Sequence, residues 1–221
     1  MALIQQALPD FLGGIRDTLI YCISAFPLAL VFGLILALMS SSRFVWLRAP
    51  ARTFVEVVRA TPILVQLFIL YYGVGSLLVK VNLSQYNNPW VTGIVALALN
   101  YAAYEAEVFR AGFLSVERGQ TEAALSLGLT SGQSFFRVVL PQAIPLMIPP
   151  FVNDFIYMLK DSAIVSAISG TELTSVLNFW VSRNSSNPIP LYALAIVLYL
   201  LLSLPTSYVA SYFEHRLRAA L

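Results

Sequence analysis

Few residues of this chain could do chemistry, and five of the ionisable ones fall inside or beside apolar stretches: Glu105, Glu107, Asp154, Lys160 and Asp161. An ionised side chain at bilayer depth costs about 2.5–3.5 kcal/mol on insertion scales, so each should face a cavity or a partner. Glu105 and Glu107 stand two apart, which on a helix sends them in different directions. Glu107 and Arg110, three apart, share a face and can pair, leaving Glu105 the less neutralised. Asn100, Tyr101 and Tyr104 precede them on the same segment, and Asn153 and Asp154 on a proline-rich segment could face them. Such a set could hold the ammonium or the cationic side chain of an amino acid, unless Lys160 neutralises Asp154 or Asp161. Phe151, Phe155 and Tyr157 read as packing rather than as a gate.

Other chemistry is missing. A phosphate-binding loop needs Gly-Lys-Ser or Gly-Lys-Thr, but the two lysines, Lys80 and Lys160, come directly after Val79 and Leu159. His215 and Cys22 are each the only residue of their kind, and they lie far apart in the sequence. Neither a Cys/His metal site nor Ser-His catalysis is expected, so the chain does not read as an enzyme.

The elements that position these residues are membrane spans. Of 221 residues, 58% are hydrophobic and 11% charged, and the mean hydropathy is +0.77. Soluble domains are about 45–50% apolar and about 25% charged. A net charge of +2 points to no nucleic acid. Met1 to Gly14 carries no positive n-region, so no cleaved signal peptide is expected. A helix needs about 20 apolar residues to cross the hydrocarbon, and five stretches fit: Thr18 to Ser42, Ile63 to Val79 (beginning nearer Arg52), Trp90 to Phe113, Leu140 to Leu159, and Asn184 to Phe213. Between the last two, Ala163 to Ser182 reads as short helices and turns at the membrane face. Arg43, Arg48, Arg52, Arg59, Arg110, Arg118, Arg137, Arg216 and Arg218 fall on one side, against Arg16, Lys80, Lys160 and Arg183 on the other. Positive residues mark the cytoplasmic side, which puts the N-terminus outside and the C-terminus in the cytoplasm.

The connection from Gly112 to Val139 is expected to hold a helix-turn-helix. Thr121 can cap a first helix with Glu122 near its positive end. Gly128 suits its stop, and Thr130 or Ser131 can cap the second. Pro141, Pro145, Pro149 and Pro150 should kink the next membrane segment. Leu125 and Leu129, one turn apart, could fill a partner's groove.

The spacing Glu122-Ala123-Ala124, three residues, Gly128, nine residues, Val138, one residue, Leu140-Pro141 resembles the EAA loop of ABC importer permease subunits, with Val138 replacing the usual isoleucine. Arg59-Ala60-Thr61-Pro62-Ile63-Leu64-Val65-Gln66-Leu67 resembles a segment of the polar amino-acid permeases, with Ala60 in place of glycine. Tyr104 to Arg110 and Leu159 to Ser162 are also similar to that subfamily.

The resemblance implies an all-α, polytopic membrane protein: a single permease domain over residues 1–221, about five transmembrane helices, and a cytoplasmic coupling helix. Glu122, Ala123, Ala124, Leu125, Gly128 and Leu129 would dock an ATP-binding subunit. No cofactor would bind this chain, ATP and Mg residing on the ATPase. The other partners would be a second permease subunit, an extracytoplasmic substrate-binding protein, the lipid bilayer and an amino-acid substrate, at the bacterial inner membrane. Asn100, Tyr104, Glu105, Glu107, Asn153, Asp154, Lys160 and Asp161 would line the pathway. An ion-coupled secondary transporter is the rival; it accounts for the membrane carboxylates but not for the loop.

Overall fold

A computed structural model describes residues 2–184 and 187–218, with side chains described as far as Tyr208. His215, Arg216 and Arg218 therefore lie outside the described side chains. The helices are α1 (Ala2–Ser40), α2 (Val45–Ala60), α3 (Ile63–Phe68), α4 (Gly75–Lys80), α5 (Pro89–Ser115), α6 (Arg118–Ser126), α7 (Ser131–Ser134), α8 (Leu140–Asp161), α9 (Leu173–Arg183) and α10 (Ile189–Arg218). A π-helical stretch, Ile69–Val74, joins α3 to α4, and another, Phe135–Val139, joins α7 to α8. No strand occurs among the described residues.

Four helical stretches are long and apolar enough to cross a membrane: Leu3–Ser40, Ile63–Lys80, Ser131–Ile168 and Ile189–Tyr208. The 27-residue α5 lies beside them, and its Glu105, Glu107 and Arg110 lower its hydropathy. At about 1.5 Å per residue it too is long enough to span the hydrocarbon. It starts where the Asn88 side chain accepts the Val91 N–H (3.0 Å) and Pro89 fills the first turn, as capping chemistry favours.

Helix α1 packs most extensively on α5, and small residues let the two come close. Ala25, Ala29, Gly33 and Ala37 recur every fourth position on α1, as do Ala98, Ala102 and Ala106 on α5, and all are buried. Small side chains at this spacing let membrane helices approach backbone to backbone. A Cβ on Gly33 would lie 2.7 Å from the Glu105 Cβ and 3.1 Å from the Ala102 carbonyl oxygen. Around this seam Tyr21, Leu67, Leu97, Met158 and Leu159 form the main core, where the Cys22 thiol donates to the Met158 carbonyl (3.6 Å). A second core joins the first half of α1 to α9 and α10 through Phe11, Leu173 and Leu191.

Two sequence expectations change. First, α1 extends well ahead of Thr18, and Pro9 and Pro27 lie inside it without ending it. Second, the prolines after Val139 do not interrupt α8; the irregularity falls just before them, in the Phe135–Val139 stretch. Pro141 has no N–H for the carbonyl four residues back, and a wider turn relieves that mismatch. The Gln142 amide then donates to the Val138 carbonyl (2.9 Å). Glu172 stands between the two short helices of the stretch from Ala163 to Ser182 and begins the second. Its carboxylate accepts the N–H groups of Thr174 (2.7 Å) and Ser175 (2.6 Å) and the Tyr199 hydroxyl (3.2 Å), capping α9. Burial pushes this carboxyl up to about 7, against the hydrogen bonds that favour its charged form. The stretch from Ala163 to Ser182 is as expected, a short 3₁₀ helix (Ser162–Ile168) followed by α9.

Candidate functional site

The centre of the site is a helix break. Thr61 and Pro62 are extended (ψ 145° and 133°) between α2 and α3. Proline disfavours helical geometry in the residue before it, and without an N–H it cannot serve the Val58 carbonyl. The Gln66 side chain fills that vacancy. Its amide nitrogen donates to the Val58 carbonyl (2.8 Å), the Thr61 hydroxyl (2.9 Å) and the Thr61 carbonyl (3.1 Å). The Thr61 hydroxyl in turn donates to the Val57 carbonyl (2.8 Å). The remaining Gln66 oxygen accepts from the Asn100 amide (3.0 Å), which ties the break to α5.

Irregular backbone at membrane depth is tolerated where it is buried in protein or lines a cavity. Thr61, Pro62 and Ile63 line a cavity of about 280 Å³ with Asn100, Tyr101, Tyr104, Asp154, Tyr157 and Asp161. The Tyr101 hydroxyl donates to Asp161 (2.8 Å), whereas Asp154 accepts no hydrogen bond from the described residues. Sharing Tyr104 and Asp154 with this cavity, a groove of about 460 Å³ continues past Arg59, Glu107, Val108, Ala111 and Pro150 to Ser115. The Arg59 guanidinium lies 5.4 Å above the Tyr104 ring, where the two spaces meet.

The cavity thus brings together Asn100, Tyr104, Asp154 and Asp161. Glu107 lies lower, paired with Arg110 at 2.6 Å as the spacing predicts. The other three candidates are not part of the cavity lining. Glu105 is fully buried against Gly33, and neither carboxylate oxygen has a partner among the described residues. Asn153 is exposed on α8. Lys160 neutralises neither aspartate; its ammonium lies 4.4 Å over the Tyr157 ring. Tyr157, expected as packing, is exposed and lines the cavity, while Phe151 and Phe155 do pack, on Phe109 and Phe26. Gln66 and Thr61 are site residues that the sequence reading missed, although the Thr-Pro pair is itself a break signal.

The Gly112–Val139 connection folds into two short helices. The first, α6, begins at Arg118, so Thr121 lies inside it rather than capping it. Gly128 ends it with φ +84°, and the Gly128 and Leu129 N–H groups bond the Leu125 (2.9 Å) and Ala124 (3.2 Å) carbonyls. This is the Schellman arrangement, which glycine adopts without steric cost. Thr130 caps the next helix in a reciprocal pair with Gln133. Glu122, Ala123, Leu125 and Gly128 are exposed and Leu129 half-buried, but Ala124 is buried and holds the loop together. Leu127, outside the expected docking set, is 85% exposed.

Residues 29–219 match the family model described as binding-protein-dependent transport system inner membrane component. The chain belongs to this family. It is 35% identical over 216 residues to the L-cystine transport system permease protein TcyB of Bacillus subtilis (strain 168), covering 97% of this chain and 90% of that one. It is 36% identical over 214 residues to the octopine transport system permease protein OccM of Rhizobium radiobacter, covering 91% and 83%. A crystal structure of an amino acid ABC transporter with histidines superposes with a TM-score of 0.87 at 36% identity, covering 96% of each chain. The methionine ABC transporter MetNI shares the fold, at a TM-score of 0.67 and 19% identity. The chain is therefore an inner-membrane permease subunit of an ABC transport system. ATP hydrolysis belongs to a separate subunit, and the ion-coupled reading falls away.

Proposed function

We propose that the permease moves a polar amino acid through the groove beside the helix break, completed by a second permease chain facing Tyr104 and Tyr157. One observation carries this reading: a polar cavity walled by broken backbone, two aspartates, an asparagine and three tyrosines in an otherwise apolar molecule. An unclaimed Asp154 suits an ammonium group, and the Asn100 and tyrosine side chains suit a zwitterion's remaining polar atoms. Relatives named for cystine, octopine and glutamine transport support a polar amino acid.

Residues 1–221 act as a single permease domain with five spans, α5 included, the N-terminus outside and no cofactor of its own. Exposed side chains of α6 and its glycine stop, Glu122, Ala123, Leu125, Leu127 and Gly128, dock the ATPase, where ATP and Mg bind. Asn82 to Pro89 and Ser162 to Pro190 receive an extracytoplasmic binding protein. Closure of the ATPase pulls on α6, and the π-helical joint Phe135–Val139 carries that motion into α8, the helix of Asp154 and Asp161. Each nucleotide state then favours a different packing of the same helices.

The test is binding of radiolabelled cationic and zwitterionic amino acids to the solubilised complex, without the binding protein. Asp154→Asn should lose the substrate that the wild type retains. An unchanged profile would place selectivity in the external binding protein and refute a site in the membrane.

A further inference from the structure

A second cavity lies on the far side of α5. Phe32, Ile35 and Leu36 of α1, Phe54 of α2, and Leu99 and Ala102 of α5 wall a crevice of about 210 Å³. Every lining side chain is hydrocarbon. With about 3.6 residues per turn, Leu99 and Ala102 point away from Tyr104 and Val108, so the crevice does not face the polar groove. Its mouth continues an exposed stripe of Leu28, Val31, Phe32, Ile35 and Leu38 along α1.

Seven residues beyond Leu36, about 10 Å along the axis at about 1.5 Å per residue, the apolar helix has ended and the chain turns. The elbow reads Arg43-Phe44-Val45-Trp46-Leu47-Arg48. The Arg43 guanidinium lies 4.9 Å over the Phe44 ring, and the Phe44 and Trp46 rings are 5.9 Å apart. Phe44, Val45 and Trp46 are exposed. No acidic residue occurs between Asp17 and Glu56. Neither Arg43 nor Arg48 forms an ion pair among the described residues. Exposed aromatic rings mark the headgroup level of a bilayer, and juxtamembrane arginines attract anionic headgroups.

From this juxtaposition we propose that the elbow and the crevice form one site for an anionic phospholipid. An acyl chain lies in the crevice and the headgroup phosphate rests on Arg43 and Arg48. A free phosphate ion would leave the hydrocarbon walls unfilled, and a zwitterionic lipid would fill them with weaker electrostatic attraction to the arginines. The bound lipid clamps α1 to α2, the helix that carries Arg59 and ends at the pathway break.

Native mass spectrometry of the full chain in its transporter complex tests this, with phosphatidylglycerol and phosphatidylcholine supplied in equal amounts. The wild type should retain phosphatidylglycerol preferentially. Two guanidinium contacts predict that Arg43→Gln/Arg48→Gln cuts that preference about 30-fold. Ile35→Trp, which fills the crevice from its exposed wall, should lower retention of both lipids while leaving the arginines in place. An unchanged preference in the double variant, or unchanged retention in Ile35→Trp, overturns the site. So does a disulfide between copies through Ile35→Cys in a Cys22→Ser background, because a protein would then occupy the crevice.

Discussion

Gln66→Leu removes the side chain that repairs the helix break while keeping its approximate volume. The Val58 and Thr61 carbonyls lose their side-chain donor, and the Asn100 amide loses its acceptor. A buried polar group left unsatisfied costs about 1–3 kcal/mol. Thr61 is exposed, so its carbonyl can turn to water. The half-buried Val58 carbonyl takes the lower end, about 1 kcal/mol, and with about 1–3 kcal/mol for the buried Asn100 the total is about 2–4 kcal/mol. For a chain of this length that corresponds to a fall of roughly 6–12 °C in Tm. Thermal unfolding of the purified protein in detergent, followed by tryptophan fluorescence, gives the number. A second variant isolates the cause. Pro62→Ala returns an N–H that can serve the Val58 carbonyl but not Asn100, so Gln66→Leu should cost about 1 kcal/mol less in that background. An equal cost in both backgrounds would refute the view that Gln66 substitutes for the missing proline donor.

Gly33→Leu should separate α1 from α5, since even a Cβ there meets Glu105 and backbone; a loss of about 1–3 kcal/mol or more is expected, read as Tm in detergent. Gly128→Asp should place a side chain at φ +84° and a charge on the docking surface, abolishing co-purification with the ATPase while membrane insertion stays normal. Glu172 has a carboxyl near 4.5 when unfolded and near 7 in the fold. The unfolded chain therefore ionises first as pH rises, and the stability this site contributes is full below about pH 4.5 and lost by about pH 7. Unfolding curves should show a higher Tm at pH 5 than at pH 8, and Glu172→Gln should flatten that difference.

The sequence makes the spans legible because hydropathy sums over many residues, and it makes the loop legible because capping and glycine stops are local. Gly128 and Thr130 do what local chemistry dictates. The start of α6 at Arg118 is not legible, since Arg118, Gly119 and Gln120 carry no apolar period. Side-chain directions in the site depend on neighbouring helices. Glu105 is aimed by α1, whose every-fourth-residue small positions meet those of α5, and Lys160 is drawn onto an aromatic ring rather than a carboxylate. The Thr61-Pro62 break is visible as a dipeptide, but its repair by Gln66 from the next turn appears only when the backbone is folded.

The space between Thr61–Ile63, Tyr104, Asp154 and Tyr157 is the proposed path of the transported amino acid. Tyr157→Cys in a Cys22→Ser background, assembled with its partners in sealed vesicles, tests it through the rate of reaction with a charged thiol reagent. On this path the new thiol should be water-accessible, saturating substrate should slow its modification, and Leu38→Cys on the apolar stripe of α1 should show neither effect. Equal rates with and without substrate at position 157 would contradict it.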